Sequence, residues 1–341
     1  MTVRVLIVDD SATMRAILLS RLSEQPDITV VDTASNAAEA RELIKKHDPD
    51  VVTLDIEMPG MNGLAFLEKI MTLRPTPVII VSGATQEGND VTARALALGA
   101  VNCYSKYDPS GKLALNDSGE LGRLIHDAAQ VRFPKPARVS PVVAEESRRL
   151  IRRDAKLIAI GSSTGGVEAL QVLLREFPVD CPPTVIVQHV NPRFAPAIAR
   201  TLDKICPAPV QVAVNDMPLV AGNVYLAAEP DHHLLVRGSG TFHAKLRRGE
   251  PVSGPCPSVD VLFGSVAQTV GAEAVGILLT GMGRDGAQGL LAMAETGAHT
   301  IAQDESTCTV FGMPRAAIAL GGARVVAPIN RIARHALNRA A

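Results

Sequence analysis

Residues 1–126 alternate short apolar runs with amphipathic stretches. The runs Val3–Val8, Thr29–Thr33, Val51–Leu54, Val78–Val81 and Val101–Tyr104 read as buried strands. The stretches 13–24, 36–47, 63–73, 89–98 and 119–130 repeat their apolar positions at helical spacing and read as helices. Strand–helix units in unbroken succession predict a parallel sheet covered on both faces, since parallel neighbours need a crossover between them. The runs end at Asp9, Asp55, Ser82 and Lys106. All four therefore gather at the carboxyl edge of the sheet, where open α/β sheets carry their sites.

The pattern breaks over 127–155. Phe133-Pro134-Lys135-Pro136 and Pro141 are followed by Glu145-Glu146 and by Arg148, Arg149, Arg152 and Arg153. Prolines followed by dense charge predict a linker. Alternation resumes over 156–341. Leu157–Ile160 and Thr184–Gln188 read as strands on either side of a helix over 165–176. Leu234–Arg237 and Thr241–Leu246 flank Gly238-Ser239-Gly240 as a hairpin, and Asp231-His232-His233 read as turn residues before it. A helix over Ser258–Val270, a strand over Ala274–Leu279 and two further strand–helix pairs complete the chain. The expected class is α/β throughout: a (βα)5 unit, then a doubly wound unit with a β-hairpin insertion.

Composition narrows the function classes. A chain of 341 residues, 47% hydrophobic and 20% charged, can bury two cores of ordinary size. Its net charge of −1 argues against a nucleic-acid binder working through a broad basic face. No apolar run follows a basic start, and no apolar stretch reaches membrane-spanning length. Cys103, Cys181, Cys206, Cys256 and Cys308 are dispersed, without Cys-x-x-Cys spacing. They predict neither a disulfide framework nor a zinc site, and a reducing cytoplasm is the expected location.

The strand ends of the first unit carry phosphoryl-acceptor chemistry. A carboxylate that attacks phosphorus needs its own charge and the phosphoryl charge neutralised together. Acidic residues binding a divalent cation do part of this, and a lysine ammonium does the rest. Residues 1–126 resemble a response-regulator receiver domain, with Val8-Asp9-Asp10-Ser11 and Asp55-Ile56-Glu57-Met58-Pro59-Gly60 as the matching motifs. The resemblance implies a flavodoxin-like fold and phosphorylation of Asp55 by a chemotaxis histidine kinase. It further implies Mg²⁺ bound by Asp10 directly, by Asp9 through water, by Asp55 and by the Glu57 backbone carbonyl, with Ser82 and Lys106 on the phosphoryl group. Tyr107 stands where the family usually has proline, and Cys103, beside Tyr104, stands where it usually has an aromatic residue. Both bear on how phosphorylation couples to the fifth strand, not on acceptor chemistry.

The second half carries a Gly/Ser-rich turn, Gly161-Ser162-Ser163-Thr164-Gly165-Gly166, between a strand and a helix. It has neither the lysine of a phosphate-binding loop nor the glycine spacing of a dinucleotide fingerprint. A turn presenting a serine nucleophile needs neither, but the serine needs a base and a group to orient that base. His189 follows a strand, and Asp285 lies in the glycine-punctuated Leu279-Thr280-Gly281-Met282-Gly283-Arg284-Asp285-Gly286. His243 and His299 fall in expected strands, His47 and His126 in the first unit, and His335 on a terminal helix.

Residues 156–341 resemble the catalytic domain of the chemotaxis protein-glutamate methylesterases. The match rests on the serine turn, Gln188-His189, Pro257-Ser258-Val259-Asp260-Val261-Leu262-Phe263 and the Asp285 loop. The resemblance implies Ser163 as nucleophile, His189 as general base, Asp285 as its orienting partner and Met282 N–H as an oxyanion donor, with no cofactor for this reaction. Implied substrates are glutamyl methyl esters of methyl-accepting chemoreceptors, with glutamine deamidation as a second activity. Ser253-Gly254-Pro255-Cys256-Pro257 departs from the family pattern beside the site. The implied protein is a cytoplasmic monomer that is not membrane-embedded, binds no nucleic acid and has its receiver packed so as to limit access to the catalytic face. Two other outputs are weighed. A DNA-binding output would be a compact helical domain with a basic recognition helix. A non-catalytic signalling adaptor would leave Ser163, His189 and Asp285 without use.

Overall fold

Buried β-branched runs and capped helices form two α/β units, 1–131 and 132–341. The structure is a computed structural model that describes residues 2–58, 63–83, 86–107, 119–133 and 155–337. Most of the expected linker, from Pro134 to Asp154, lies outside the described residues, as do Pro59 and Gly60 of the acceptor motif.

In the first unit, strands β1 (Val3–Val8), β2 (Ile28–Ala34), β3 (Val51–Asp55), β4 (Val78–Ser82) and β5 (Asn102–Ser105) form a parallel sheet in the order β2-β1-β3-β4-β5. Helices α1 (Ala12–Ser23), α2 (Ala37–His47), α3 (Gly63–Leu73), α4 (Gln86–Ala97) and α5 (Glu120–Ala129) supply the crossovers. The strand order reverses between β1 and β3, so Asp9 and Asp55 flank the switch point of a flavodoxin-like sheet. Ser11 caps α1 by accepting the Met14 N–H at 3.3 Å, a contact worth about 1 kcal/mol. Helix α4 starts three residues before its expected start, because Gln86-Glu87-Gly88 holds no apolar residue for periodicity to detect. Helix α5 runs to Ala129, past the end at 126 expected for this unit.

The second unit holds β6 (Leu157–Ser162), β7 (Thr184–Gln188), β8 (Val210–Val212), β9 (Val224–Leu226), a separate hairpin of β10 (His232–Arg237) and β11 (His243–Arg248), then β12 (Ala274–Leu278), β13 (His299–Gln303) and β14 (Val325–Ala327). Apart from the hairpin, all its strands are parallel, in the order β14-β13-β12-β6-β7-β9-β8. Helices α6 (Gly166–Leu174), α7 (Ala195–Asp203), α8 (Val259–Thr269), α9 (Ala287–Glu295), α10 (Met313–Ala319) and α11 (Ile329–Leu337) accompany it. The chain leaves β6 toward β7 on one side and returns to β12 on the other. The loops after these three strands therefore meet at one carboxyl edge.

Two features differ from expectation. The three-residue strands β8 and β9 are too short for alternation to show in the sequence. His232 and His233 are not turn residues but the first residues of β10, paired with Arg248 and Arg247. Polar residues ahead of an apolar run look like its flank, yet His233 is buried because its ring finds partners.

The core of this unit joins Leu157, Ala159, Val185 and Val187 of the sheet to Val259, Leu262, Phe263 and Val266 of α8. Each fully buried large apolar side chain contributes about 1.5–3 kcal/mol. That burial seats the N-terminus of α8 against the end of β6: a Cβ on Gly161 would come within 2.2 Å of Val259.

Candidate functional site

The turn after β6 presents two serines with different fates. Ser162 is fully buried, and its Oγ donates to Gln188 Oε1 at 2.6 Å. Gln188 Nε2 donates in turn to the carbonyls of Ser163 and His189, each at 2.9 Å. One glutamine thus ties the serine turn to the end of β7. A side chain at Gly166 would come within 2.1 Å of Gln188 Oε1, so only glycine leaves room for this tie. Ser163 is half-buried. Its N–H donates to Thr280 O at 3.0 Å, while His189 N–H donates to Ser162 O at 2.9 Å. The main chain thereby brings the ends of β6, β7 and β12 together. Gly281 faces Ser163 so closely that a Cβ there would lie 2.7 Å from the serine Cβ.

His189 Nε2 lies 2.9 Å from Asp285 Oδ2. The approach is short but off the N–H direction of a well-aligned hydrogen bond, so the contact is chiefly electrostatic. Asp285 is buried and sits at the N-terminus of α8. It accepts Ser258 Oγ–H at 2.8 Å, Val259 N–H at 2.7 Å and Asp260 N–H at 3.0 Å. Burial pushes its carboxyl up. The close approach and charge of His189, with the amides of Asp260 and Val259, outweigh that and hold Asp285 below the ordinary carboxylate range. Asp260, in the first turn of the same helix, moves the other way because burial dominates there.

The loop after β12 is clamped. Thr280 N–H donates to Gln303 Oε1 at 2.8 Å, and Thr280 Oγ1 accepts Val310 N–H at 2.9 Å. Gly281 bonds through both its N–H, to Val310 O, and its carbonyl, which takes the N–H groups of Gly312 and Met313. Met282 N–H, next along, has no acceptor among the described residues. Of the residues in this assembly, sequence reasoning missed Gln188, Ser258 and His233 as structural partners. The pairs Gln188-His189 and Pro257-Ser258 stood out in sequence, but neither told what its polar atoms would touch.

In the first unit, one carboxylate oxygen from each of Asp9, Asp10 and Asp55 lies within 4.8 Å of the others. Lys106 Nζ bridges two of them, 2.9 Å from Asp9 Oδ2 and 2.5 Å from Asp55 Oδ2. Burial raises the proton affinity of Asp9; Lys106 counteracts this only in part, while the Asp55 charge adds to it. Burial also disfavours the Lys106 ammonium, but Asp55 and Asp9 outweigh it and hold its pKa above the ordinary value. A buried Asp9 oxygen without an aligned donor, among three converging carboxylates, fits a hard divalent cation with oxygen ligands. Glu57 has an exposed side chain outside that cluster, and its N–H donates to Asp55 Oδ1 at 2.9 Å. Ser82, fully buried, ends β4, and its carbonyl takes Lys106 N–H at 2.9 Å. Cys103 is buried, and burial pushes its thiol far up. The neighbouring Tyr104 is buried too, and its hydroxyl meets Arg21 of α1.

Fold and geometry together define a class: converging carboxylates with a lysine on one sheet, and on the other a serine turn beside a histidine–aspartate pair at a strand-order switch point. Comparison with known proteins agrees. Residues 158–336 match the family model of CheB methylesterase, and residues 5–114 that of the response regulator receiver domain. The chain is 48% identical to a protein-glutamate methylesterase/protein-glutamine glutaminase of Rhizobium johnstonii, over 99% of this chain and 96% of that protein. It is 50% identical to another of that name from Caulobacter vibrioides, over 94% and 92%. The crystal structure of the Thermotoga maritima CheB methylesterase catalytic domain is 32% identical, with a TM-score of 0.53 over 54% of this chain and 98% of that one. The chain belongs to the CheB methylesterase family: it is a hydrolase with a response-regulator receiver domain ahead of its catalytic unit. Among the described residues no helix is long and apolar enough to cross a membrane.

Proposed function

We propose that the second unit hydrolyses glutamyl methyl esters on methyl-accepting chemoreceptors, and by the same chemistry deamidates receptor glutamines. Ser163 is the nucleophile. The commitment of the Ser162 hydroxyl to Gln188 supports Ser163 over Ser162 in that role. With His189 Nε2 turned to Asp285, Nδ1 is the nitrogen that takes the Ser163 proton. Attack on the ester carbonyl forms a Ser163 Oγ–C bond, and Met282 N–H receives the developing oxyanion. The C–O bond then breaks, His189 returns the proton, and methanol leaves. Water, deprotonated by His189, attacks the acyl carbon; the Ser163 Oγ–C bond breaks, His189 returns the proton to Oγ, and a glutamate is left. With glutamine the leaving group is ammonia. The observation that carries this reading is Asp285, held ionised against His189 by three hydrogen-bond donors.

In the receiver, Asp55 accepts a phosphoryl group from a chemotaxis histidine kinase, with Ser82 and Lys106 contacting it. Asp9, Asp10, Asp55 and the Glu57 carbonyl hold Mg²⁺, which when bound supplies charge neutralisation for the transfer. Asp55 phosphorylation raises activity on receptors. A DNA-binding or purely adaptor output is not favoured, because the output unit is a parallel-sheet hydrolase. The proposed setting is a cytoplasmic monomer that acts on the cytoplasmic part of a receptor.

The test is methanol release from methylated receptors by the full chain, with and without a small-molecule phosphodonor. Release that rises with the donor and disappears in Ser163→Ala supports the reading. A Ser163→Ala protein that still releases methanol, or converts receptor glutamine to glutamate, refutes it.

A further inference from the structure

The Asp285 socket is itself held from outside the sheet. His233, the second residue of β10, is buried with 2% exposure, and Ser258, the cap of α8, has none. His233 Nδ1 lies 3.1 Å from Ser258 N, whose N–H points to it. Nε2 lies 2.9 Å from Glu250 O. A carbonyl can only accept and an N–H can only donate, so the ring is the neutral tautomer with its proton on Nε2. Gly249 makes the seat possible: a Cβ there would come within 2.9 Å of ring Cδ2.

Beyond Ser258 N–H the bonds continue toward the reacting centre. Ser258 Oγ donates to Asp285 Oδ1 and accepts Val261 N–H at 3.4 Å, while the next two amides of the turn also point at Asp285. We infer that His233 is a positioning residue for the esterase reaction: by accepting Ser258 N–H it fixes the first turn of α8, which aims the Asp285 carboxylate at His189. The inference rests on Asp285 being the partner of the catalytic base.

Without an acceptor, Ser258 N–H would be buried and unpaired, and the turn would shift to satisfy it. A displacement of about 1 Å at a reacting group costs on the order of 10²-fold in rate. The titratable groups that bear on this chain are few. Cys256 Sγ lies 3.7 Å from His233 Nε2, Asp231 and Glu250 bear on Cys256, and Asp260 and His189 face Asp285.

The test uses the full-length protein and the pH profile of kcat/KM for methanol release, whose acidic limb reports protonation of the base in the free enzyme. His233→Asn offers its Oδ1 where Nδ1 was. It should keep both the parent kcat and the position of the limb. His233→Gln reaches toward Glu250 O but offers no acceptor to Ser258. It should lower kcat about 10- to 100-fold with little change in KM, and move the limb to lower pH, because a misaimed Asp285 stabilises the imidazolium less.

A purely structural role would scale the whole profile with the folded fraction and leave the limb in place. That result overturns the inference, as does an Asn variant no better than the Gln variant. If His233→Gln does not fold, Ser258→Ala reads the next bond of the chain. It should move the limb the same way, and an unmoved limb there is equally fatal. Asp285→Asn separates the two levels. If it retains kcat, the triad reading itself fails; if it loses kcat while folded His233→Gln does not, only the role of His233 falls.

Discussion

Asp9 and Asp285 are both buried carboxylates after a parallel strand, one in each unit, yet their proton affinities shift in opposite net directions. Burial disfavours the charge of each. What differs is the supply of donors. Asp9 shares a single ammonium with Asp55, whose own charge repels it, and otherwise anchors the Ser11 N–H at 2.9 Å. Asp285 takes a hydroxyl and two amides at a helix N-terminus and faces an imidazole as well. The receiver pocket is thus short of positive charge, which suits the cation and phosphoryl group proposed for it. The proposed hydrolytic site holds its carboxylate charged through groups already in place, as preorganised catalysis requires.

The largest expected effect tests whether the completed site is the working one. Ser163→Ala should cost on the order of 10⁶ in kcat while circular dichroism stays unchanged. Ser162→Ala should cost far less activity, and mainly stability, about 1–3 kcal/mol for stranding Gln188 Oε1. If Ser162→Ala is the more damaging to turnover, the nucleophile is misassigned.

Next in size, Asp285→Asn should lower kcat by about 10⁴ with KM little altered, since an amide favours the wrong imidazole tautomer and cannot stabilise the imidazolium. Turnover near the parent's would mean that the donors around Asp285 serve only to cap α8.

On the receiver side, Asp55→Asn should leave methanol release without phosphodonor as it was and abolish the response to donor. A response that survives moves the acceptor elsewhere. Mg²⁺ at 100 times its Kd should stabilise the folded receiver by about 2.7 kcal/mol, read as a shift of the first unit's unfolding transition by calorimetry. Asp10→Asn should shrink that shift. An equal shift in the variant would mean that the charge deficit around Asp9 is not what binds the cation.

The smallest effects lie in pH dependence, and the two aspartates give opposite signs. Asp285 is depressed in the folded protein, so its contribution to stability is present above the ordinary carboxylate value and lost as pH falls through the folded one. Asp9 is raised, so its contribution is present below the ordinary value and lost as pH rises through the raised one. Lys106, also raised, contributes below the ordinary lysine value and loses that as pH rises through its folded pKa. In Mg²⁺-free buffer, Asp285→Asn should flatten the acid side of the second unit's stability profile, and Asp9→Asn should remove a loss that the first unit shows on rising pH. Matching slopes in parent and variants would dissolve the contrast.

Much of both units was legible in the amino-acid order. Apolar runs alternating with amphipathic stretches located β1–β5 and α1–α5 to within a few residues, because burial on both faces of a parallel sheet demands continuous apolar strands. The rule that loops after such strands share one edge brought Asp9, Asp55, Ser82 and Lys106 together, and likewise Ser163, His189 and Asp285. Strands β8 and β9 escaped because three residues carry too little pattern, and His233 escaped because a histidine before an apolar run has no periodic signature. Tertiary structure alone decided the rest. It tied the Ser162 hydroxyl to Gln188, turned Nε2 of His189 toward Asp285, and set Asp285 on the N-terminus of α8 with His233 behind it. Those choices depend on where donors from distant segments converge. Sequence spacing fixes which strand end a side chain leaves from, but its charge state is set by the groups that packing brings within about 3 Å.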